Sequence, residues 1–200
     1  MNEKNSNSFD LNKVLEINEF IKSIDSLAFY IKLNALNALF LAIRSGEQLR
    51  GYIVVTDEFN RFSEELMKFV SMLLRIIHEI VFLVSEQLKQ THRLNLYMRI
   101  ISEGDTESTK IIRKFVSEHE LKITNLNEKI KTELESINSS LQRNEKIILR
   151  GDMLAMQAKI EGAYSKKSRE VFMDVAENFQ KHIGRIRESL QSLRRMLKKG

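Results

Sequence analysis

Apolar residues recur along this chain at alternating steps of four and three. Ile17, Ile21, Ile24, Ala28, Ile31, Ala35, Ala38 and Ala42 form one such series. Val55, Phe59, Phe62, Leu66, Phe69, Leu73, Ile76, Ile80 and Leu83 form a second. This period is the seam of helices that pack as a bundle or coiled coil. Nothing reads as a strand. Between the two series lies Gly46-Glu47-Gln48-Leu49-Arg50-Gly51. Its bracketing glycines tolerate the positive φ that a tight helix-to-helix reversal often needs. A second helix is predicted over about 52–101. The next break is Ser102-Glu103-Gly104-Asp105-Thr106, with Asp105 or Thr106 as N-cap of a third helix that runs on from Glu107.

The chain also repeats itself. A shift of 120 positions sets Ala35 on Ala155, Ala38 on Ala158, Phe40 on Ile160, Tyr52 on Phe172, Val55 on Val175, Phe59 on Phe179 and Leu66 on Ile186. Seam positions coincide as well: Ile17 with Ile137, Ile21 with Leu141, Ala28 with Ile148, Leu73 with Leu193. A last break at Gly151-Asp152, with Asp152 as N-cap, is a rival division into four helices of similar length. Gly151 instead falls on the seam position of Ile31, where a small residue can sit in the core.

Residues 24–62, IDSLAFYIKLNALNALFLAIRSGEQLRGYIVVTDEFNRF, resemble the signalling tip of bacterial methyl-accepting chemotaxis receptors. The second copy resembles it more faintly, through Ile160-Glu161-Gly162-Ala163 and Phe172-Met173-Asp174-Val175-Ala176-Glu177. In that family two chains each supply one hairpin to a four-helix bundle. The expected fold is therefore all-α: a long antiparallel four-helix bundle or coiled coil built from two helical hairpins of one chain, a pseudo-dimer, with a two-helix extension. A flexible N-terminus over 1–9 precedes a single domain over 10–200. The first hairpin covers 10–80 with its tip at 46–51. The extension covers 81–129 with its loop at 102–106, each arm about 20 residues or ~30 Å long. The second hairpin covers 130–200, with a degenerate tip at 166–170.

The resemblance also implies a function. Leu33, Leu36, Asn37, Glu47, Arg50 and Val54 match positions near which the family docks its coupling protein and histidine kinase. Phe29, Phe40 and Arg44 match the face through which receptors contact one another; Leu33 and Leu36 also lie on it. Read without the family, Leu33, Leu36 and Phe40 have the spacing of ordinary core. Leu39 and Leu41 argue otherwise, because Leu36 through Ile43 is apolar almost all round and wants burial on more than one side. The departures are specific. The family's glutamate is Leu41 here, while its partner arginine persists as Arg44. In the second copy Glu161 is present and Tyr164 takes the arginine position. Leu49 replaces a turn glycine. Lys166-Lys167-Ser168-Arg169-Glu170 contains no glycine, so the second tip is expected to be structural. Glu64-Glu65 and Glu86-Gln87 are the nearest pairs to the family's methylation sites, without its full small-residue flanks.

Composition narrows the class. The chain has 200 residues, no proline and no cysteine. The absence of proline permits helix almost end to end, and the absence of cysteine excludes disulfides and thiolate metal sites. The polar start MNEKNSNS has no apolar signal core. The greasiest stretch, Leu66 to Val84, is interrupted by Lys68, Arg75, His78 and Glu79, so no membrane insertion is expected. A net charge of +5 with mixed signs gives no case for nucleic acid; the basic end around Arg194, Arg195, Lys198 and Lys199 reads as a solvated helix face. His78, His92, His119 and His182 lack metal-ligand spacing, and no glycine-rich phosphate loop occurs. No catalytic residue, metal or cofactor is assigned. Asp174/Asn178 and Glu86/Gln90 share helix faces at i, i+4, the spacing of an acid and amide in helical response-regulator phosphatases. The reading is thus a cytoplasmic, sensor-less chemoreceptor-like adaptor, competitor or receptor, monomeric rather than homodimeric. Its partners would be the chemotaxis histidine kinase, the coupling protein and other chemoreceptors. The alternative is a scaffolding bundle without kinase contact, and after it a helical response-regulator phosphatase.

Overall fold

The computed structural model describes residues 11–45, 50–102, 107–165 and 168–198. It is an all-α helical bundle of five helices: α1 (Leu11–Ser45), α2 (Arg50–Ser102), α3 (Glu107–Arg143), α4 (Glu145–Tyr164) and α5 (Arg169–Lys198). Among the described residues only Asn144, Ser165 and Ser168 lie outside helix. The centres of the first two turns, 46–49 and 103–106, lie outside the described residues, as do Lys166 and Lys167. The expected cap at Asp105 or Thr106 is among them. Arg50 and Gly51 already belong to α2, and Arg169 and Glu170 to α5.

The seam residues named above form the core. Val14 through Ala35 on α1 and Val55 through Val84 on α2 bury in one cluster with Ile130, Ile137, Ile148, Leu154, Ala158, Phe179, Ile183, Ile186 and Leu193. A smaller cluster of Ala38, Ala42, Tyr52 and Phe172 closes the turn end. Positions 120 apart are buried together: Ile17 and Ile137, Ile21 and Leu141, Ala28 and Ile148, Ala38 and Ala158, Leu66 and Ile186, Leu73 and Leu193.

α1 packs on α2 and α5, α4 packs on the same two helices, and α3 packs chiefly on α2. Polar contacts give the register of α4 on α5. Glu145 pairs with Arg194, Asp152 with Arg187, and Lys159 Nζ donates to Gln180 Oε1 at 2.7 Å. Partners move back along α5 as they move forward along α4. On α2 and α3, Gln87 Nε2 donates to Asn127 Oδ1 at 2.5 Å. Further out, Tyr97 meets Phe115 and His119 at centroid separations of 6.2 and 5.2 Å.

Two details differ from the sequence reading or decide between its alternatives. Gly151 and Asp152 lie inside α4, so the rival break does not occur. An ideal Cβ at Gly151 would stand 2.8 Å from Phe62 Cζ and 3.3 Å from Ile183 Cδ1, so the missing side chain is space that Phe62 fills. The helix expected to run on from Glu107 is instead interrupted at Asn144, whose φ of −99° and ψ of 9° lie in the sparsely populated bridge region. Its side chain donates to Ser140 O at 2.8 Å, and Ile147 N bonds Asn144 O at 3.0 Å. Asparagine competes with helix through such local bonds, and periodicity does not register a break of one residue.

Candidate partner-docking surface

The starts of α2 and α5 meet at one end of the bundle. Tyr52, near the start of α2, and Phe172, near the start of α5, meet with ring centroids 4.0 Å apart, and the Tyr52 hydroxyl donates to Phe172 O at 3.2 Å. Burial pushes the Tyr52 phenol well above its ordinary value. One heptad deeper, Phe59 stacks on Phe179 at 3.7 Å. In both cases each residue meets its own counterpart in the repeat.

Around this end the sequence-selected residues are surface rather than core. Phe29, Leu33 and Phe40 are exposed and Leu36 is half-buried; Asn37 and Arg44 are exposed. Phe29, Leu33, Leu36, Phe40 and Ile43 follow steps of four and three, so they form one stripe on α1. It is a second heptad stripe, separate from the buried seam of Ile24, Ala28, Ile31, Ala35, Ala38 and Ala42. The resemblance sets Phe29, Leu33, Leu36 and Phe40 on one face, with Leu33 and Leu36 also near docking positions, and α1 brings them side by side. On α2, Arg50 and Val54 are exposed one turn apart. Glu47 lies outside the described residues.

The second copy carries the same feature, which the sequence reading missed. Leu149, Met153, Met156 and Ile160 on α4 correspond to Phe29, Leu33, Leu36 and Phe40, and all are exposed, Met153 by 71% and Met156 by 67%. Tyr164, the counterpart of Arg44, is also exposed. The signal was present in the 120-residue shift, but methionine at heptad spacing reads as core until burial is known. The charges flanking this stripe are occupied within the molecule. Arg150 spans Glu65 at 2.7 Å and Glu58 at 2.9 Å on α2, contacts that raise its pKa further. Glu145, Asp152 and Lys159 face α5 as described.

The remaining candidates have structural partners. Glu64 bonds Lys32 at 3.2 Å, Glu65 bonds Arg150, and Gln87 is buried against Asn127. In both acid–amide pairs the amide donates to its own acid: Gln90 to Glu86 at 2.5 Å and Asn178 to Asp174 at 3.3 Å. The Gln90 bond, then nearby Lys89 and Arg93, lowers the Glu86 pKa. Among the described residues no three His, Cys, Asp or Glu side chains converge as a metal site requires. α1 is long and apolar enough over Leu11–Arg44 to cross a membrane by length and composition, a test that a core helix also passes; here its buried seam is packed in the bundle.

No family model matches this chain, and no curated protein or solved structure matches it.

Proposed function

We propose that this is a chemoreceptor-like signalling protein in which one chain supplies both hairpins of an antiparallel, pseudo-dimeric four-helix bundle. α1 and α2 form the working hairpin, α4 and α5 its partner, and the outer parts of α2 and α3 the extension. The chain acts in the cytoplasm, where the end bearing Arg50 and Val54, with Leu33, Leu36, Asn37 and Glu47, docks the chemotaxis coupling protein and histidine kinase. Phe29, Phe40 and Arg44 serve contacts with other receptors.

The observation that supports this reading is exposure. Leu33 and Val54, chosen by their resemblance to docking positions, are apolar yet exposed, with exposed Arg50 one turn from Val54, whereas the buried seam of α1 is a different set. A few apolar anchors on a rigid helix pair make a small patch suited to weak, repeated contacts. Opposite the turn, an ideal Cβ at Gly51 would fall 2.1 Å from Glu161 Oε2, so the family-type glutamate of the second copy covers the backbone of α2. That use of Glu161 supports a structural part for the second tip.

The test is capture of the coupling protein from the same cell by the immobilised full chain. Binding should fall at least tenfold in Arg50→Glu and in Val54→Glu, with circular dichroism unchanged. Binding that is indifferent to both substitutions removes tip docking, and no binding at all leaves a scaffolding bundle.

A further inference from the structure

Each of the two exposed heptad stripes is one helix wide, four layers long and set at the same height. Phe29, Leu33, Leu36 and Phe40 lie on α1; Leu149, Met153, Met156 and Ile160 lie on α4. Both helices run towards the turn end, which the Tyr52–Phe172 contact fixes, so they are parallel. Both pack on α2 and on α5, without a comparable contact between them, so they occupy diagonal corners. Their outer faces therefore look to opposite sides of the bundle.

We propose that copies of this chain assemble side by side in one orientation, the α1 stripe of one seated on the α4 stripe of the next. Knobs-into-holes packing needs a partner stripe of the same period, and this chain carries two such stripes of equal length, whose four layers all pair when neighbouring copies stand in parallel. Two copies standing in parallel bring Phe29 to the next copy's Leu149, Leu33 to its Met153, Leu36 to its Met156 and Phe40 to its Ile160. The bulky, fixed rings on α1 meet side chains that include adaptable methionines on α4, which fill irregular gaps. Because the two faces are different and point apart, the contact does not close on itself and gives an open row. A lipid surface would call for a broad apolar face with a basic border. Here Arg150, Asp152, Lys159 and Glu145 confine the α4 stripe to a single seam and are engaged with α2 and α5. The stripe shares Leu33 and Leu36 with the docking patch proposed above, so the next copy and the coupling protein compete for them, and every row keeps a free α1 stripe at one end.

The chain has no cysteine, so site-directed disulfides read the contact directly. Leu33→Cys and Met153→Cys chains are prepared separately, mixed and oxidised. A 33-to-153 cross-link should dominate over 33-to-33 and 153-to-153 products, since facing positions in such a seam have Cα separations that a disulfide spans. Adding Met156→Glu to the Met153→Cys chain should cut the cross-link at least fivefold, and light scattering of the otherwise unaltered chain should show mass rising with concentration past the dimer. Met156 is exposed, so the fold, followed by circular dichroism, should persist, and coupling-protein capture should not fall. A closed dimer, predominant like-with-like cross-links, or a 33-to-153 yield insensitive to Met156→Glu overturns the proposal. So does pelleting with anionic vesicles that is lost in Met156→Glu while mass stays monomeric.

Discussion

The rings of Phe59 and Phe179 lie nearly parallel, 18° apart, with centroids separated by 3.7 Å, although 120 positions separate them in the sequence. Each is the repeat counterpart of the other, and both are fully buried. Like residues meet in this way at the axis of a symmetric dimer; here the two rings belong to α2 and α5 of one chain.

This pair should be a principal source of stability. Phe59→Ala and Phe179→Ala should each cost about 3–5 kcal/mol in urea unfolding. Their double mutant should cost less than the two singles added, by about 0.5–1.5 kcal/mol. Strict additivity would mean that the rings do not interact.

Glycine substitutions should separate by what surrounds them. Gly151→Ala would press on the Phe62 ring and lose about 1–3 kcal/mol, relieved by adding Phe62→Leu. At Gly184 nothing stands within 4 Å of an added Cβ, so Gly184→Ala should gain about 0.5–1 kcal/mol by helix propensity alone. Denaturation midpoints check both signs.

Tyr52→Phe removes the hydroxyl that bonds Phe172 O and keeps the ring packing. A loss of about 0.5–1.5 kcal/mol is expected. Amide exchange should quicken first at the turn end, where the cluster of Ala38, Ala42, Tyr52 and Phe172 is small.

His182 should make stability depend on pH in one direction. Burial first, then the charges of Arg185 and Lys181, lowers its pKa from the ordinary 6.5, while its ring stacks on Tyr30 at 6.0 Å. The folded chain keeps the ring neutral where the unfolded chain takes up a proton. Its contribution is complete above about pH 6.5 and fades as the pH falls through that value towards the lowered folded one. Unfolding curves between pH 7.5 and pH 5 should show the loss, and His182→Gln should flatten it.

The helices and their seams were legible in the sequence for a physical reason. Steps of four and three fix which side chains share a helix face, and that geometry is local. The seam residues Ile17, Ile21, Ile24, Ala28, Ile31, Ala35, Ala38 and Ala42 read as buried from spacing, and they are. Local bonding at Asn144 was not legible, because one residue leaving the helix does not disturb the period on either side. Nor was the identity of the uncovered face. Phe29, Leu33, Leu36 and Phe40 have the same spacing as the core, and so do Leu149, Met153, Met156 and Ile160. Period gives an angle around one helix; only the neighbouring helices decide which angles are covered. The sequence by itself therefore determined an all-helical chain and the seams along its helices. The tertiary structure alone decided that Phe59 meets Phe179, that Gly151 makes room for Phe62, and that α1 and α4 stand at diagonal corners with an apolar stripe left bare on each.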